Sequence, residues 1–319
     1  MHKAVRTAGV ALTITVAAAT LAACGTSSAS DAPQVVALLP QGNDQPYGAT
    51  YVATLRKQAE ERGIDLEITN SKYDPSRQAS ECDVAIAKKP DGIILWPADA
   101  ASVRPCLLKA EKAGIPVTST NSDVKADDKS LVRAYSGPSN DEVGRLDADL
   151  LNTGMGGQGN IIVIAGTSGN STAVDRLNGF KAQLATKYPG IKILGEQPAN
   201  WDKAQAITAT SELVTRFGDQ INGVYAQDDT MAAGVVEAMK NRGIDPASRI
   251  IVGCGNTVLG QANVLAGAQY GTLFQSPIWD GEYAINTIAD VIEKKTVSDT
   301  FMPMPLVTQD NASQYPPEW

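Results

Sequence analysis

The stretch Val35-Val36-Ala37-Leu38-Leu39, followed by the helical pattern Tyr47–Arg62 and the strand pattern Ile64–Thr69, decides the fold. A continuous apolar run of five residues suits a strand buried on both faces. Gly63 stops the helix, and Pro75 can open the next one, which runs to about Lys88. Gly92-Ile93-Ile94-Leu95-Trp96 is a strand, Ser102–Ala113 a helix and Ile115–Ser119 a strand. Strands separated by single helices imply parallel βαβ units.

After Ser136-Gly137-Pro138 the rhythm restarts. Helix Asn140–Asn152, strand Asn160–Ala165, helix Thr172–Lys187 and strand Ile191–Leu194 come first. Helix Lys203–Arg216, strand Gly223–Ala226, helix Thr230–Arg242 and strand Arg249–Gly253 follow. Helix Val258–Ala266, strand Gly271–Phe274 and helix Ile278–Lys294 complete the series. Two similar runs predict an α/β protein of two doubly wound parallel-sheet lobes. Ligands of such sheets bind beyond the carboxyl ends of the strands, so two facing lobes would share one cleft.

The N-terminal segment has its own pattern. Lys3 and Arg6 precede an apolar stretch from Ala8 to Ala23, too short at about 16 residues to span a bilayer. Leu21-Ala22-Ala23-Cys24 resembles the lipobox of bacterial lipoproteins, in which the cysteine becomes the first residue and receives lipid. The reading is a signal peptide over 1–23 and a flexible tether over 24–33, with export and membrane anchoring through Cys24. The alternative is an ordinary cleaved signal with an incidental cysteine.

Removing the leader leaves 296 residues, with 25 Lys+Arg against 35 Asp+Glu and a net charge of −10. So acidic a chain argues against a nucleic-acid partner. The only histidine is His2 in the leader, which excludes Ser-His-Asp and Cys-His nucleophile systems and imidazole zinc sites. Cys82 and Cys106 fall 24 residues apart on two predicted helices. A strand order 2-1-3-4-5 would set those helices side by side, and export permits a disulfide. Two buried free thiols are the alternative. Cys254, at a strand end, reads as an unpaired packing residue.

Two motifs need care. Gly154-Met155-Gly156-Gly157-Gln158-Gly159 precedes a strand, whereas a dinucleotide loop follows one, so it reads as a helix-to-strand turn. In Asp228-Asp229, one carboxylate is expected to face the cleft and the other to cap the following helix.

Polar and aromatic residues recur where strands end. Gln41, Asn43 and Tyr47 follow the first strand, Trp96 and Asp99 the third, and Asn121 the fourth. In the second lobe Ser168, Asn170 and Arg176 follow one strand, then come Trp201, Asp228, Asn256 and Gln275. Hydroxyls both donate and accept, so carboxylates, amides and a guanidinium together suit a polyhydroxyl ligand. Aromatic faces suit its C–H surfaces.

Four segments carry a family resemblance: Ala113-Gly114-Ile115-Pro116-Val117, Ser171–Phe180, Tyr225–Ala232 and Phe274-Gln275-Ser276-Pro277. Their order and spacing resemble the ribose-type periplasmic sugar-binding proteins of bacterial ABC importers. The resemblance implies a type I periplasmic binding fold with three crossovers, near 136–139, 274–277 and 298–302. It places 34–137 plus 276–298 in the N-terminal lobe and 138–275 plus 299–319 in the C-terminal lobe. It implies sugar-contacting roles for Arg176, Asp228 and Gln275, no catalysis, no cofactor, no metal, and a monomer that docks on a transporter permease. Asn121-Ser122 stand where ribose-type members often carry Asp-Arg, and Gly255-Asn256 where Asp is common. These departures point away from ribose toward a linear sugar alcohol or another pentose or hexose. A ligand-presenting sensor would have the same pocket. A hydrolase would need a second carboxyl near Asp228, about 5–10 Å away.

Overall fold

The apolar run Val35–Leu39 is buried on both sides. Val35, Ala37 and Leu39 join one core cluster and Val36 and Leu38 another, which is the two-fold alternation of a strand covered on both faces. Our computed structural model describes residues 1–4 and 32–319. Most of the leader, Cys24 and the tether through residue 31 therefore lie outside the described residues, and the lipidation and cleavage readings with them.

The first sheet is built from β1 (Gln34–Leu39), β2 (Asp65–Asn70), β3 (Gly92–Leu95), β4 (Val117–Thr120) and β5 (Tyr135–Gly137), with helices α1 (Pro46–Glu61), α2 (Pro75–Lys88) and α3 (Arg104–Ala113) between them. The chain then passes through α4 (Asn140–Met155) into β6 (Gln158–Ala165), α5 (Ser171–Lys187), β7 (Gly190–Pro198), α6 (Lys203–Phe217) and β8 (Gly223–Ala226). It continues through α7 (Asp229–Asn241), β9 (Ile250–Gly255), α8 (Val258–Leu265) and β10 (Gly271–Phe274). It returns as α9 (Pro277–Ile292) and β11 (Thr300–Phe301), and crosses once more into β12 (Leu306–Thr308).

The strand orders are β11-β5-β4-β3-β1-β2 and β12-β10-β9-β8-β6-β7. Each sheet is thus the expected 2-1-3-4-5 order with one strand added at an edge. All pairings are parallel except β12 with β10. The second core repeats the first: Ile162 and Ile164 face one cluster, Ile161 and Val163 the other. The chain crosses three times between the sheets, after β5, after β10 and between β11 and β12. The third crossing lies further along than the expected break at 298/299. Thr300 pairs with Ser136 and Phe301 with Gly137, so they extend the first sheet instead of the second lobe.

Local chemistry explains the other shifts. Helix α3 starts at Arg104, not Ser102, because Asp99 folds the preceding residues into a turn: Ala101 N donates to its carboxylate at 2.9 Å and Ser102 N to its carbonyl at 3.1 Å. The glycine-rich run at 154–159 is indeed the link from α4 to β6, with Gly156 left-handed at φ 68°. Cys82 on α2 and Cys106 on α3 are disulfide-bonded, with Cα atoms 6.0 Å apart. Cys254 is a buried free thiol.

Candidate functional site

The carboxyl ends of the two sheets face each other across a cleft with about 470 Å³ of empty space, counted out to its mouth. The first lobe contributes Gln41, Gln45, Pro46 and Tyr47 from the β1–α1 junction, Tyr73 after β2, Trp96 after β3 and Asn121 after β4. The second contributes Asn170, Thr172 and Arg176 from α5 and its cap, Trp201 after β7, and Asp228 and Thr230 after β8. Gln275 at the second crossover and Trp319 complete the wall.

Several of these side chains have a visible support. Gln78 on α2 donates to Trp96 O at 2.8 Å and accepts from Ala98 N at 2.9 Å, fixing both ends of the Trp96 loop. Asp280 on α9 accepts from Tyr47 Oη at 2.7 Å, Asn121 Nδ2 at 2.6 Å and Thr120 Oγ1 at 3.3 Å. Tyr73, Asn121 and Trp201 all have positive φ, at 58°, 56° and 61°. A side chain held in this region costs on the order of 1–2 kcal/mol. Such backbone strain concentrates at functional sites. Tyr73 after β2 and Trp201 after β7 occupy equivalent strand ends of the two lobes.

Arg176 is 2% exposed. It donates from Nε to Asn140 Oδ1 at 3.1 Å, from Nη1 to Gln227 O at 2.8 Å and from Nη2 to Gln275 Oε1 at 2.9 Å. A guanidinium has five N–H donors, so two have no assigned partner. No described carboxylate makes an ion pair with it. Asp228 uses Oδ1 to cap α7, accepting from Met231 N at 2.7 Å, and its other oxygen is free to face the cleft. Burial pushes its carboxyl up to about 7, against the cap bond that lowers it. The indole N–H groups of Trp96 and Trp201 are buried without partners.

The lobes touch at the rim. Ala100 N donates to Ser171 Oγ at 2.7 Å, Asn170 Nδ2 donates to Ala98 O at 3.2 Å, and the hydroxyls of Ser122 and Thr172 are hydrogen-bonded. These three contacts hold the lobes together along one edge of the cleft.

Eight of the twelve expected residues come together: Gln41, Tyr47, Trp96, Asn121, Arg176, Trp201, Asp228 and Gln275. Four do not. Asn43 is exposed, because Asp44 ties its turn to Gly42 N and Asn70, and Gln45 lines the cleft instead. Asp99 is committed to its own turn. Ser168 is exposed, and Asn170 and Thr172 take its place. Asn256 donates from Nδ2 to Tyr315 O at 2.7 Å and so anchors the segment after β12. The division of labour at Asp228-Asp229 also needs correction. Asp228 both caps and faces the cleft, whereas Asp229 is fully buried beneath, accepting from Gln269 Nε2, Thr272 Oγ1 and Thr257 N.

Asp280, absent from the sequence reading, gives a stability prediction. Burial raises its carboxyl to about 7 despite three hydrogen bonds that lower it. Buried Asp147 and Asp229 shift in the same direction, also through burial. The folded state then binds more protons than the unfolded chain between the ordinary carboxylate value of about 4 and 7. Stability should therefore fall as pH rises through that window. Thermal melts of the ligand-free protein should show a higher midpoint at pH 5 than at pH 8, with a smaller difference in Asp280→Asn. A midpoint that drops on going to pH 5 would contradict this.

Known proteins match this architecture. Residues 36–296 fit the family model for the periplasmic binding protein domain. A xylitol-binding protein of Mycolicibacterium smegmatis is 31% identical over 255 residues, covering 79% of this chain and 71% of its own. A galactofuranose-binding protein of Escherichia coli is 29% identical over 236 residues, covering 73% and 74%. The solved structure of an ABC transporter periplasmic solute-binding protein from Actinobacillus succinogenes, with bound D-allose, superposes with a TM-score of 0.79 at 28% identity, covering 89% of this chain and all of that one. With two 2-1-3-4-5 sheets, three crossovers and an interlobe cleft, the chain belongs to the periplasmic binding protein family, and within it to the ribose-type sugar binders.

Proposed function

We propose that this protein captures a sugar or sugar alcohol in its interlobe cleft and delivers it to an ABC importer from the outer side of the membrane. One observation carries the reading. Two Arg176 N–H groups without an assigned partner and a free Asp228 oxygen sit among the aromatic side chains of Tyr47, Tyr73, Trp96, Trp201 and Trp319. A polyhydroxyl ligand supplies partners of both kinds. The twelve residues named from the sequence divide accordingly: eight for the ligand, four for the scaffold around it. The missing acidic partners near Asn121 and Asn256 favour a ligand other than ribose.

Asp228 is the only side-chain carboxyl among the described residues lining the cleft, and Asp229 is tied into the second lobe. The site thus lacks the carboxyl pair that glycoside hydrolysis uses. Binding rather than turnover is the function, as in the relatives. The sensor alternative finds no support among them. A lipid on Cys24 would keep the protein beside its permease; one acyl chain holds only marginally, so firm anchoring would take a second.

Three of the four tryptophans line the cleft. Titration with xylitol, D-allose, L-arabinose and myo-inositol should therefore change the intrinsic fluorescence with at least one of them. No saturable change with any of the four would count against the reading.

Asp228 also sets a pH dependence. Ligand hydroxyls donating to its free oxygen favour the carboxylate and lower its pKa in the complex. Affinity should be full above the ligand-free value of about 7 and decline below it, by up to about tenfold per pH unit. Asp228→Asn keeps a good helix cap and should lose about 30- to 100-fold in affinity, the cost of a charged hydrogen bond of about 2–2.7 kcal/mol. It should also lose most of the pH slope. A wild-type affinity that rises toward pH 5.5 would contradict the assignment.

A further inference from the structure

We propose that Trp319 is a ligand-contacting wall of the cleft, held in place by a strap of residues 309–319 that touches both lobes. The inference rests on the sugar or polyol reading above. After β12 the chain is tied to the second lobe. Tyr315 O accepts from Asn256 Nδ2 at 2.7 Å and from Gln261 Nε2 at 2.6 Å, and Trp319 O accepts from Val258 N at 2.8 Å. The same few residues then reach the first lobe. Glu318 Oε2 accepts from Ser276 Oγ at 2.6 Å, and Ser276 caps α9. The Trp319 ring stands edge-on to Tyr47, with centroids 5.1 Å apart.

The fold leaves room for this indole. Gly255 has φ 131°, and a Cβ there would lie 2.6 Å from the Trp319 ring. Any side chain at that position would meet the indole, so the close approach requires glycine. Tyr47 in turn stands edge-on to Trp96 at 5.8 Å. Trp319, Tyr47 and Trp96 therefore form a continuous aromatic wall, and all three line the cleft.

The chemistry of the three cleft indoles differs. Trp96 and Trp201 have unpartnered N–H groups. Trp319 Nε1 already donates to Gln275 O at 3.2 Å. What Trp319 has left to offer is its ring face, which suits the contiguous C–H surface of a cyclic sugar or cyclitol. It therefore selects by shape. Because the strap grips Ser276 and Gln275 at the second crossover, the ring is set in place where the lobes hinge.

The test is calorimetric titration of the wild type, W319A, W319F and W319L with xylitol, D-allose, L-arabinose and myo-inositol. For the tightest wild-type ligand, W319A should weaken binding by about two- to twelvefold, the scale of a lost aromatic contact of roughly 0.5–1.5 kcal/mol. W319F should restore it to near the wild-type value and W319L should not. Cyclic ligands should lose more than linear xylitol, so the selectivity ratio should shift. If W319A lowers the ligand-free melting point, the Phe and Leu variants decide, because both keep apolar bulk. Unchanged affinity in W319A, or equal binding by W319F and W319L, would overturn the proposal while leaving the capture function intact. A wild type that binds none of the four ligands would overturn both.

Discussion

Arg176→Ala is expected to eliminate detectable binding of every sugar and polyol while both lobes stay folded. The guanidinium lies at the centre of the second-lobe face and reaches toward both crossover regions. It bonds to Asn140 on α4, which itself donates from Nδ2 to Asn121 O at 2.9 Å in the first lobe, and to Gln275 at the second crossover. Removing it deletes the ligand's strongest donors, takes the Arg176 partner from Asn140 Oδ1 and Gln227 O, and leaves Gln275 Oε1 with only the Cys254 thiol at 3.6 Å. Each unsatisfied buried acceptor costs on the order of 1–3 kcal/mol. Binding should therefore weaken by well over a hundredfold, and the melting point of the second lobe should drop as well. Arg176→Lys keeps the charge but cannot present a planar fork to three acceptors, so it should be intermediate. Calorimetry on both variants, with circular dichroism to check folding, reads the outcome. Affinity within a factor of three of wild type in the alanine variant would contradict the site.

The second large effect concerns stability. The Cys82–Cys106 bridge joins α2 to α3 and closes 24 residues of sequence. In the chain-entropy model such a closure stabilises by about 3.5 kcal/mol. Cys82 and Cys106 both belong to one core cluster of the first sheet and neither lines the cleft. Replacing both with alanine should thus lower the unfolding free energy of the first lobe by about that amount. Below the melting transition, ligand affinity should be unchanged. Urea unfolding should show the loss in the first lobe's transition, with the second lobe's unaffected if the lobes unfold separately. An unfolding free energy equal to wild type would show that the bridge does not form or carries no stability.

The fold was legible because central strands such as Val35–Leu39 and Gly92–Leu95 are apolar on both faces and the first helices are marked by Gly63 and Pro75 at their ends. The order 2-1-3-4-5 sets the helices that carry Cys82 and Cys106 side by side, and the bridge forms there. The added edge strands β11 and β12 were not legible. They have two and three residues, too few for a period to register, and their pairing is set by tertiary position. At the site, residues directly after strands were found, because strand ends converge in this topology. The failures at Asn43, Asp99, Ser168 and Asn256 share a cause. Each lies in a short loop whose backbone turns decide which polar residue points inward, and a shift of one or two residues suffices. Tyr73 could have been found from its equivalence to Trp201. Asp280 lies four residues into a helix pattern, where a buried carboxylate leaves no local signal. Trp319 is 44 residues from Gln275, its hydrogen-bond partner, and only the fold joins them.

The central claim is that the cleft itself binds a polyhydroxyl solute through groups from both lobes. Isothermal titration of the wild type and Asp228→Asn side by side, with the four sugars and polyols, tests it most directly. The account predicts saturable one-to-one binding of at least one ligand by the wild type, and a loss of about 30- to 100-fold in the variant. Absence of binding by the wild type, or equal affinity in the two proteins, would contradict it.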